Sequence, residues 1–463
     1  MKVLFATSEI YPYAKSGGLA DVADALPNAL STHVEISRVM PLYGFMDDKK
    51  LKTYDHFTLN LFAESYEVEV LTQKKDGTLN YFVKAPLLST TQNLYGDESG
   101  DYSNNDLRFG VFCMAIVELA KRLSIDVLHL NDWHTALAAL FIKDLNLNIK
   151  TVFTIHNLAY QGVFDSKSLY NLRLDSKYFH KDALEFYGKV NFLKAGIVFS
   201  DALTTVSPTY AKEILTQDFG CGLEGLLAYH ENKLSGILNG INAKVFNPSS
   251  DKNLEFNYSE KSLENKHKNK VSFIKKSTLK DPRKPLFVMV SRLVRQKGID
   301  LVVDSLDEIL SKKINLFIVG DGDSKISKKL SDASKEHDNF EFVEAYDETL
   351  SRQTFAAADF LLMPSAFEPC GLNQFIAMSY GAAPLVHAVG GLKDTVFENG
   401  VNCGRGIVYE NQNKHELLQA LERAIELKKN AKKFKELITS NMKCDFSFDS
   451  SALKYVEIYK NIL

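Results

Sequence analysis

The sequence predicts an α/β protein of two doubly wound domains in tandem, and three observations carry that prediction. Short apolar runs alternate with longer amphipathic stretches, the alternation occurs twice along 463 residues, and each unusual polar or glycine-rich cluster follows directly on a strand-like run. Strands alternating with helices imply a mostly parallel sheet covered on both faces. At roughly 150 residues per domain, the length excludes a single small binding module.

In the first half, runs at 3–7, 34–40, 127–130, 151–155 and 202–206 read as strands, while 19–30, 105–122, 135–145 and 191–199 carry helical spacing. The second half repeats the pattern, with strands at 286–290, 316–319, 340–343, 360–363 and 383–386 and helical segments at 300–310 and 372–379. Residues 449–463 read as a final amphipathic helix. Between the halves, 251–284 is rich in Lys, Asn and Ser and poor in apolar periodicity, which predicts a surface excursion. The junction is expected near Leu238-Asn239-Gly240, where Asn-Gly marks a turn. The expected domains are 1–239 and 240–447, followed by 448–463.

Lys plus Arg number 55 against 58 Asp plus Glu, a net charge of −3, so no chain-wide footprint for a polyanion exists. Acidic residues intersperse the lysines of 251–284 and no aromatic platform accompanies them, which argues against nucleic acid. The first apolar stretch stops at Thr7-Ser8-Glu9, short of a signal-peptide core, and no run approaches the 18 or so apolar residues of a membrane span. Cys113, Cys221, Cys370, Cys403 and Cys444 are widely spaced, with no C-x-x-C pair. They fit reduced thiols of a cytoplasmic protein better than a disulfide framework or a zinc site.

Ligands of open α/β sheets bind outside the carboxyl ends of the strands, and the polar clusters stand at such ends. Two such domains facing each other would gather them around one cleft. Lys15-Ser16-Gly17-Gly18 precedes a helix, so its backbone N–H groups and Lys15 suit a phosphate; taken alone, a glycine turn that ends a loop is the preferred reading. Gly390-Gly391 repeats the device in the second half. Neither is a G-x-G-x-x-G or a Walker P-loop, which removes the main support for nicotinamide or ATPase chemistry. Arg292 and Lys297 lie five apart on a strand-to-helix loop, as a diphosphate would require, or as a solvated loop would tolerate. Asp321 and Asp323 resemble a divalent-cation pair, but Asp-Gly-Asp after a strand is also what a tight turn needs, and the turn is preferred. His129, His134 and His156 lack metal-ligand spacing; His129 reads as core, and His156, at a strand end before Asn157, as a positioned hydrogen-bond donor or a structural loop residue. Glu368, in Phe367-Glu368-Pro369-Cys370-Gly371, is placed to accept from sugar hydroxyls or merely to favour a helix dipole. No metal and no cofactor is called for.

Lys15-Ser16-Gly17-Gly18-Leu19-Ala20-Asp21-Val22, Asn131-Asp132-Trp133-His134-Thr135, His156-Asn157-Leu158-Ala159-Tyr160-Gln161-Gly162, Val206-Ser207-Pro208-Thr209-Tyr210, Ser291-Arg292-Leu293 with Gln296-Lys297-Gly298, Phe367-Glu368-Pro369-Cys370-Gly371-Leu372, and Gly390-Gly391-Leu392 with Asp394-Thr395-Val396 together resemble the family of bacterial glycogen synthase and plant starch synthase. The order and spacing hold from the N-terminus to about Val396. The resemblance implies the GT-B fold, two Rossmann-like domains facing across a deep cleft, with the last helix crossing back to the N-terminal domain. It implies retaining transfer of glucose from ADP-glucose to glycogen or a maltooligosaccharide, without a metal, with the acceptor on the N-terminal domain and the donor on the C-terminal one.

By the same resemblance, Lys15 and the backbone at Gly17 and Gly18 contact the donor phosphates, and Arg292 and Lys297 stabilise the departing diphosphate. His156 and Glu368 hold the glucose, with Asp132, Asn157, Asn239, Tyr95, Cys370, Gly371 and Leu372 nearby, and Asp21 bridges donor and acceptor. The chain departs from the family pattern at Ser16 (usually Thr), Asn242 (Asp), Phe246 (often Trp), Asn373 (Thr or Ser) and His387 (often Arg). A non-catalytic glucan- or nucleotide-binding protein of the same fold is the alternative. The intact Lys15, Arg292, Lys297 and Glu368 argue against it, since a binder needs no cations at a leaving group.

Overall fold

A computed structural model describes residues 1–60, 64–345, 347–398 and 406–463. The chain forms two compact units, Met1–Gly240 with Phe448–Leu463, and Ile241–Ser447.

Among the described residues, the main sheet of the first unit orders its strands Leu234–Gly236, Ala202–Thr205, Lys150–Ile155, Val127–Asn131, Lys2–Ala6, Glu35–Pro41, Thr78–Lys84, Tyr66–Lys75 and Lys52–Leu59. The first seven run parallel. Val127–Asn131 is buried at every position, as a strand covered on both faces must be. The last two strands are antiparallel and extend the sheet beyond what the apolar runs predict. Tyr66–Lys75 turns into Thr78–Lys84 at Asp76-Gly77, both at positive φ, the backbone that an Asp-Gly hairpin turn supplies. Lys52–Leu59 is exposed at most positions and reads as polar, so its edge role left no apolar signature.

Helix Asp449–Ile462 belongs to this first unit and packs on helix Gly18–Leu30. It buries Ala452, Tyr455, Val456 and Tyr459 in the same core as Val3, Phe5 and Leu26. One polar chain runs from it into the sheet. The Tyr459 hydroxyl meets His129 Nδ1 at 2.6 Å, His129 Nε2 meets Thr154 Oγ1 at 2.7 Å, and Thr154 meets Thr204 at 2.5 Å. His129 is thus the core residue its apolar strand predicts, and the polar chain satisfies both ring nitrogens.

The second unit has a sheet of six parallel strands among the described residues, ordered Phe340–Glu344, Asn315–Gly320, Leu286–Val290, Phe360–Met363, Ala383–His387 and Ile407–Tyr409. Here the expectation for 251–284 is corrected. The segment contains helix Leu263–Lys276, which buries Lys266, Asn269, Lys270, Phe273 and Ile274. Lys270 pairs with the buried Asp359 at 2.6 Å, and Lys266 donates to the Ala356 carbonyl at 2.9 Å. Burial alone would raise the Asp359 pKa, yet Lys270 and Lys428 beside it hold it at about 2. Lysines that appear solvated in sequence are therefore anchors. The helix expected over 300–310 is broken at Ser305, into Ile299–Asp304 and Leu306–Leu310.

Cys113, Cys221 and Cys370 are free thiols. Cys403 lies outside the described residues. Among the described residues no helix is long and apolar enough to cross a membrane.

Tyr459→Phe should cost about 1–3 kcal/mol in urea unfolding, the price of leaving buried His129 Nδ1 without a partner. An unchanged midpoint would show that the polar chain contributes nothing to docking of the last helix.

Candidate functional site

The predicted residues fall into two clusters, one in each unit, and each grows from the carboxyl ends of parallel strands. In the first unit, strands Lys2–Ala6, Val127–Asn131 and Lys150–Ile155 are neighbours, so the loops that leave them are neighbours too. Asn131 Nδ2 donates to the Ala6 carbonyl at 2.9 Å, which turns its Oδ1 toward His156 Nε2 at 2.9 Å. With that amide orientation, Nε2 carries the proton. Burial holds the His156 pKa down at about 3, so the ring is neutral and its remaining nitrogen, Nδ1, is an acceptor. The hydrogen-bond donor that the sequence suggests is already engaged inside the protein.

Asp132 lies between these elements with φ 55° and ψ 179°, a backbone region that a non-glycine residue occupies only when its surroundings enforce it. Its Oδ1 accepts the His156 N–H at 2.8 Å. Burial pushes its pKa up to about 7 against the pull of the His156 and Asn157 N–H groups, and the nearby charge of Glu9 adds to the rise. Asn157 Oδ1 accepts the Ala159 N–H at 3.1 Å, which shapes the turn after His156.

Lys15 pairs with Asp21 at 2.8 Å, joining the predicted phosphate cation to the residue expected to bridge donor and acceptor. Gly17 is the N-cap of helix Gly18–Leu30 and provides no side chain to cap it. Sequence reading missed Glu9, which is 3% exposed. Its carboxylate accepts Ser16 N–H and Ser16 Oγ, each at 2.6 Å, Gly17 N–H at 3.4 Å, and the Tyr95 hydroxyl at 2.6 Å. Ser16 keeps the hydroxyl that this contact uses, so the lost methyl of the family's usual threonine leaves it intact. Tyr95 stacks on His134 with ring centroids 4.5 Å apart. Asn239 is buried beyond strand Leu234–Gly236.

In the second unit, Lys297 donates to both Glu368 oxygens, at 2.9 and 2.7 Å, and the Ser365 hydroxyl donates to Oε2 at 3.1 Å. These two residues, read separately from the sequence, form one ion pair. Arg292 is exposed on the loop that carries Lys297. Gly298, at φ 69°, ends that turn where a Cβ would lie 1.9 Å from the Pro364 carbonyl oxygen, so only glycine fits. The Glu368 carbonyl accepts the Gly391 N–H at 3.0 Å, and a Cβ at Gly391 would meet the Cys370 backbone at 2.3 Å. The Gly390-Gly391 pair therefore packs against the Glu368 loop. Gly371 has φ 74°, Leu372 is the N-cap of helix Asn373–Ser379, and Cys370 is buried.

Among the residues that depart from the family pattern, Asn373 donates to the Val290 carbonyl at 2.7 Å, and His387 bonds the Ser365 and Glu410 carbonyls at 2.7 and 3.1 Å. Phe246 lies under the Arg352 guanidinium at 4.4 Å, and Asn242 accepts the Lys244 N–H at 3.1 Å. Asp323 caps helix Ser324–Glu336 by accepting from Lys325 and Ile326 N–H, the turn role preferred for it. Among the described residues no group of three or more His, Cys, Asp or Glu is placed to hold a metal ion.

Two α/β units carry cations and carboxylates at their strand ends, and comparison with known proteins sets them among the glycosyltransferases. Residues 2–229 match the starch synthase catalytic domain, and residues 270–439 match the glycosyl transferases group 1 family. The glycogen synthase of Aquifex aeolicus is 43% identical, covering 100% of this chain and 99% of its own. That of Bacillus cereus is 38% identical with both chains fully covered. The catalytic domain of starch synthase IV from Arabidopsis thaliana, bound to ADP and acarbose, superposes with a TM-score of 0.90 at 31% identity, over 100% of this chain and 99% of that one. The chain belongs to the glycogen synthase and starch synthase family of glycosyltransferases, built on the GT-B fold.

The buried titratable groups predict a pH response. His129 and His156 are held at about 3, and burial also lowers His134. Unfolded histidines take up protons near 6.5, so below that pH the unfolded chain binds more protons and stability falls with pH. Asp132, raised to about 7, acts oppositely between its unfolded value near 3.9 and 7. Three histidines outweigh one carboxyl. Thermal melts should show Tm falling from pH 6.5 to pH 5, more steeply in Asp132→Asn; a flat or rising Tm in the parent would overturn the assignment of neutral buried histidines.

Proposed function

We propose that the chain transfers glucose from ADP-glucose to the non-reducing 4-hydroxyl end of an α-1,4-glucan, glycogen or a maltooligosaccharide, with retention of configuration, releasing ADP without a metal ion, in the cytoplasm. The observation that carries this reading is the full-length likeness to a starch synthase domain bound to ADP and acarbose. ADP is the product that the proposed transfer releases.

A retaining transfer needs a nucleoside diphosphate to leave an anomeric carbon while an acceptor hydroxyl attacks the same face. A diphosphate is already a good leaving group, so preorganised cations take the place of the general acid that a glycosidase uses. Arg292 and Lys297 take that role, and Lys15, with the Gly17 and Gly18 backbone, contacts the donor phosphates. Charge-assisted hydrogen bonds of this kind contribute about 1.5–3 kcal/mol each. Glu368 could in principle attack the sugar itself. Its two oxygens are both spent on Lys297, and one also accepts from Ser365, so it is a poor nucleophile. This favours a front-face, oxocarbenium-like transfer in which the leaving phosphate takes the acceptor proton.

Glu368 and His156 then hold glucose hydroxyls, with Asp132, Asn157, Asn239, Tyr95, Cys370, Gly371 and Leu372 around the sugar and Asp21 linking the donor and acceptor sides. The acceptor belongs mainly to the first unit and the donor to the second.

Glucose incorporation into glycogen, measured with ADP-glucose or UDP-glucose and with or without EDTA, tests the reading. EDTA-resistant transfer from ADP-glucose is expected, and Arg292→Ala should lower kcat by about 100-fold or more. Loss of transfer in EDTA would reject metal independence. Absence of transfer from either donor would reject the synthase reading.

A further inference from the structure

We propose that Glu9 is a positioning residue for donor binding: its buried carboxylate ties the Ser16-Gly17 backbone to Tyr95 and so presents Lys15 and the start of helix Gly18–Leu30 to the donor diphosphate. The proposal rests on the donor role given above to Lys15.

The geometry is specific. Both Glu9 oxygens are used, Oε1 by the Ser16 and Tyr95 hydroxyls and Oε2 by the Ser16 and Gly17 N–H groups. A carboxylate is the side chain that accepts from four donors and gives none. Glu9 takes the Ser16 N–H at 2.6 Å and holds the Gly17 N–H only at 3.4 Å, so it fixes the loop while the phosphate contact rests on Lys15, the Gly17 backbone and the helix beginning at Gly18. Lys15 is held in turn by Asp21 at 2.8 Å. Tyr95, which shares Glu9 Oε1 with Ser16, also meets the Ser8 hydroxyl at 2.8 Å and stacks on His134. Glu9 therefore connects the glycine loop to the side of the site that holds the sugar. A loop fixed before the donor arrives loses less conformational freedom on binding.

Glutamine at this position keeps the volume but replaces one acceptor oxygen with an NH2 group that faces donors. Glu9→Gln should weaken ADP binding by about tenfold, the cost of about one well-made hydrogen bond. The test is calorimetric titration of the full chain with ADP, beside steady-state kinetics. The donor KM should rise with the ADP Kd, while kcat falls by less than about threefold and the acceptor KM stays constant, a split that general destabilisation does not produce. Ser16→Ala, which removes one of the four donors, should shift ADP affinity in the same direction, and Ser16→Thr should bind ADP more tightly than Ser16→Ala.

Parent ADP affinity in folded Glu9→Gln, or a loss confined to kcat, would overturn the proposal. Should Glu9→Gln not fold, the Ser16 pair decides, with equal ADP affinity in Ser16→Ala and Ser16→Thr overturning it. The titration needs no turnover, so a parent that transfers no glucose would overturn the proposed reaction without being mistaken for failure of the Glu9 role.

Discussion

A parallel strand covered on both faces has no free surface along its length, and that constraint orders everything else in this chain. The central strands of each unit are buried on both faces and hold only polar groups that are paired inside the protein, so polar side chains open to a ligand stand where the strands stop. Lys15, Asp132 and His156 follow three neighbouring strands of the first unit, and Lys297 and Glu368 follow two neighbouring strands of the second. The loops that carry them are held by contacts only the backbone permits: the left-handed turn at Gly298, the close approach of Gly391 to Cys370, the enforced conformation of Asp132.

The strand-end clusters differ in how their charges are balanced. In the second unit a lysine and a glutamate pair directly, and both carboxylate oxygens carry that ion pair. In the first unit the carboxylates are handled separately: Glu9 accepts from neutral donors, Asp132 accepts from two backbone N–H groups while burial opposes its charge, and Asp21 pairs with Lys15. Within each cluster the carboxylates are engaged by groups of their own unit.

Much of this was legible in the sequence, because a buried parallel strand leaves a continuous apolar run and a strand-end loop leaves a polar interruption. The central strands and helices Gly18–Leu30 and Asn105–Arg122 follow from those signals alone. What the sequence hid was hidden for physical reasons. Lys52–Leu59 is an exposed edge strand, so its composition looks like a loop. Lys266 and Lys270 are buried because Asp359 and the Ala356 carbonyl receive them, and partners so distant along the chain leave no local pattern. Glu9 was missed because two of its donors are backbone groups, which no residue identity reveals, and Tyr95 lies 86 residues away. The Lys297–Glu368 pair was visible as two residues but not as one interaction.

The placement of helix Asp449–Ile462 has a consequence for synthesis. The first unit is interrupted by the whole of the second, so its last helix leaves the ribosome about 200 residues after the rest of it. At about 5–20 residues per second, that is a delay on the order of 10–40 s. During it, His129, Tyr43 and the apolar face of helix Gly18–Leu30 belong to an unfinished core, and the second unit has all its residues before that last helix is made. The domain that begins first is completed last, and the nascent chain must keep an apolar groove unoccupied until its own final helix arrives.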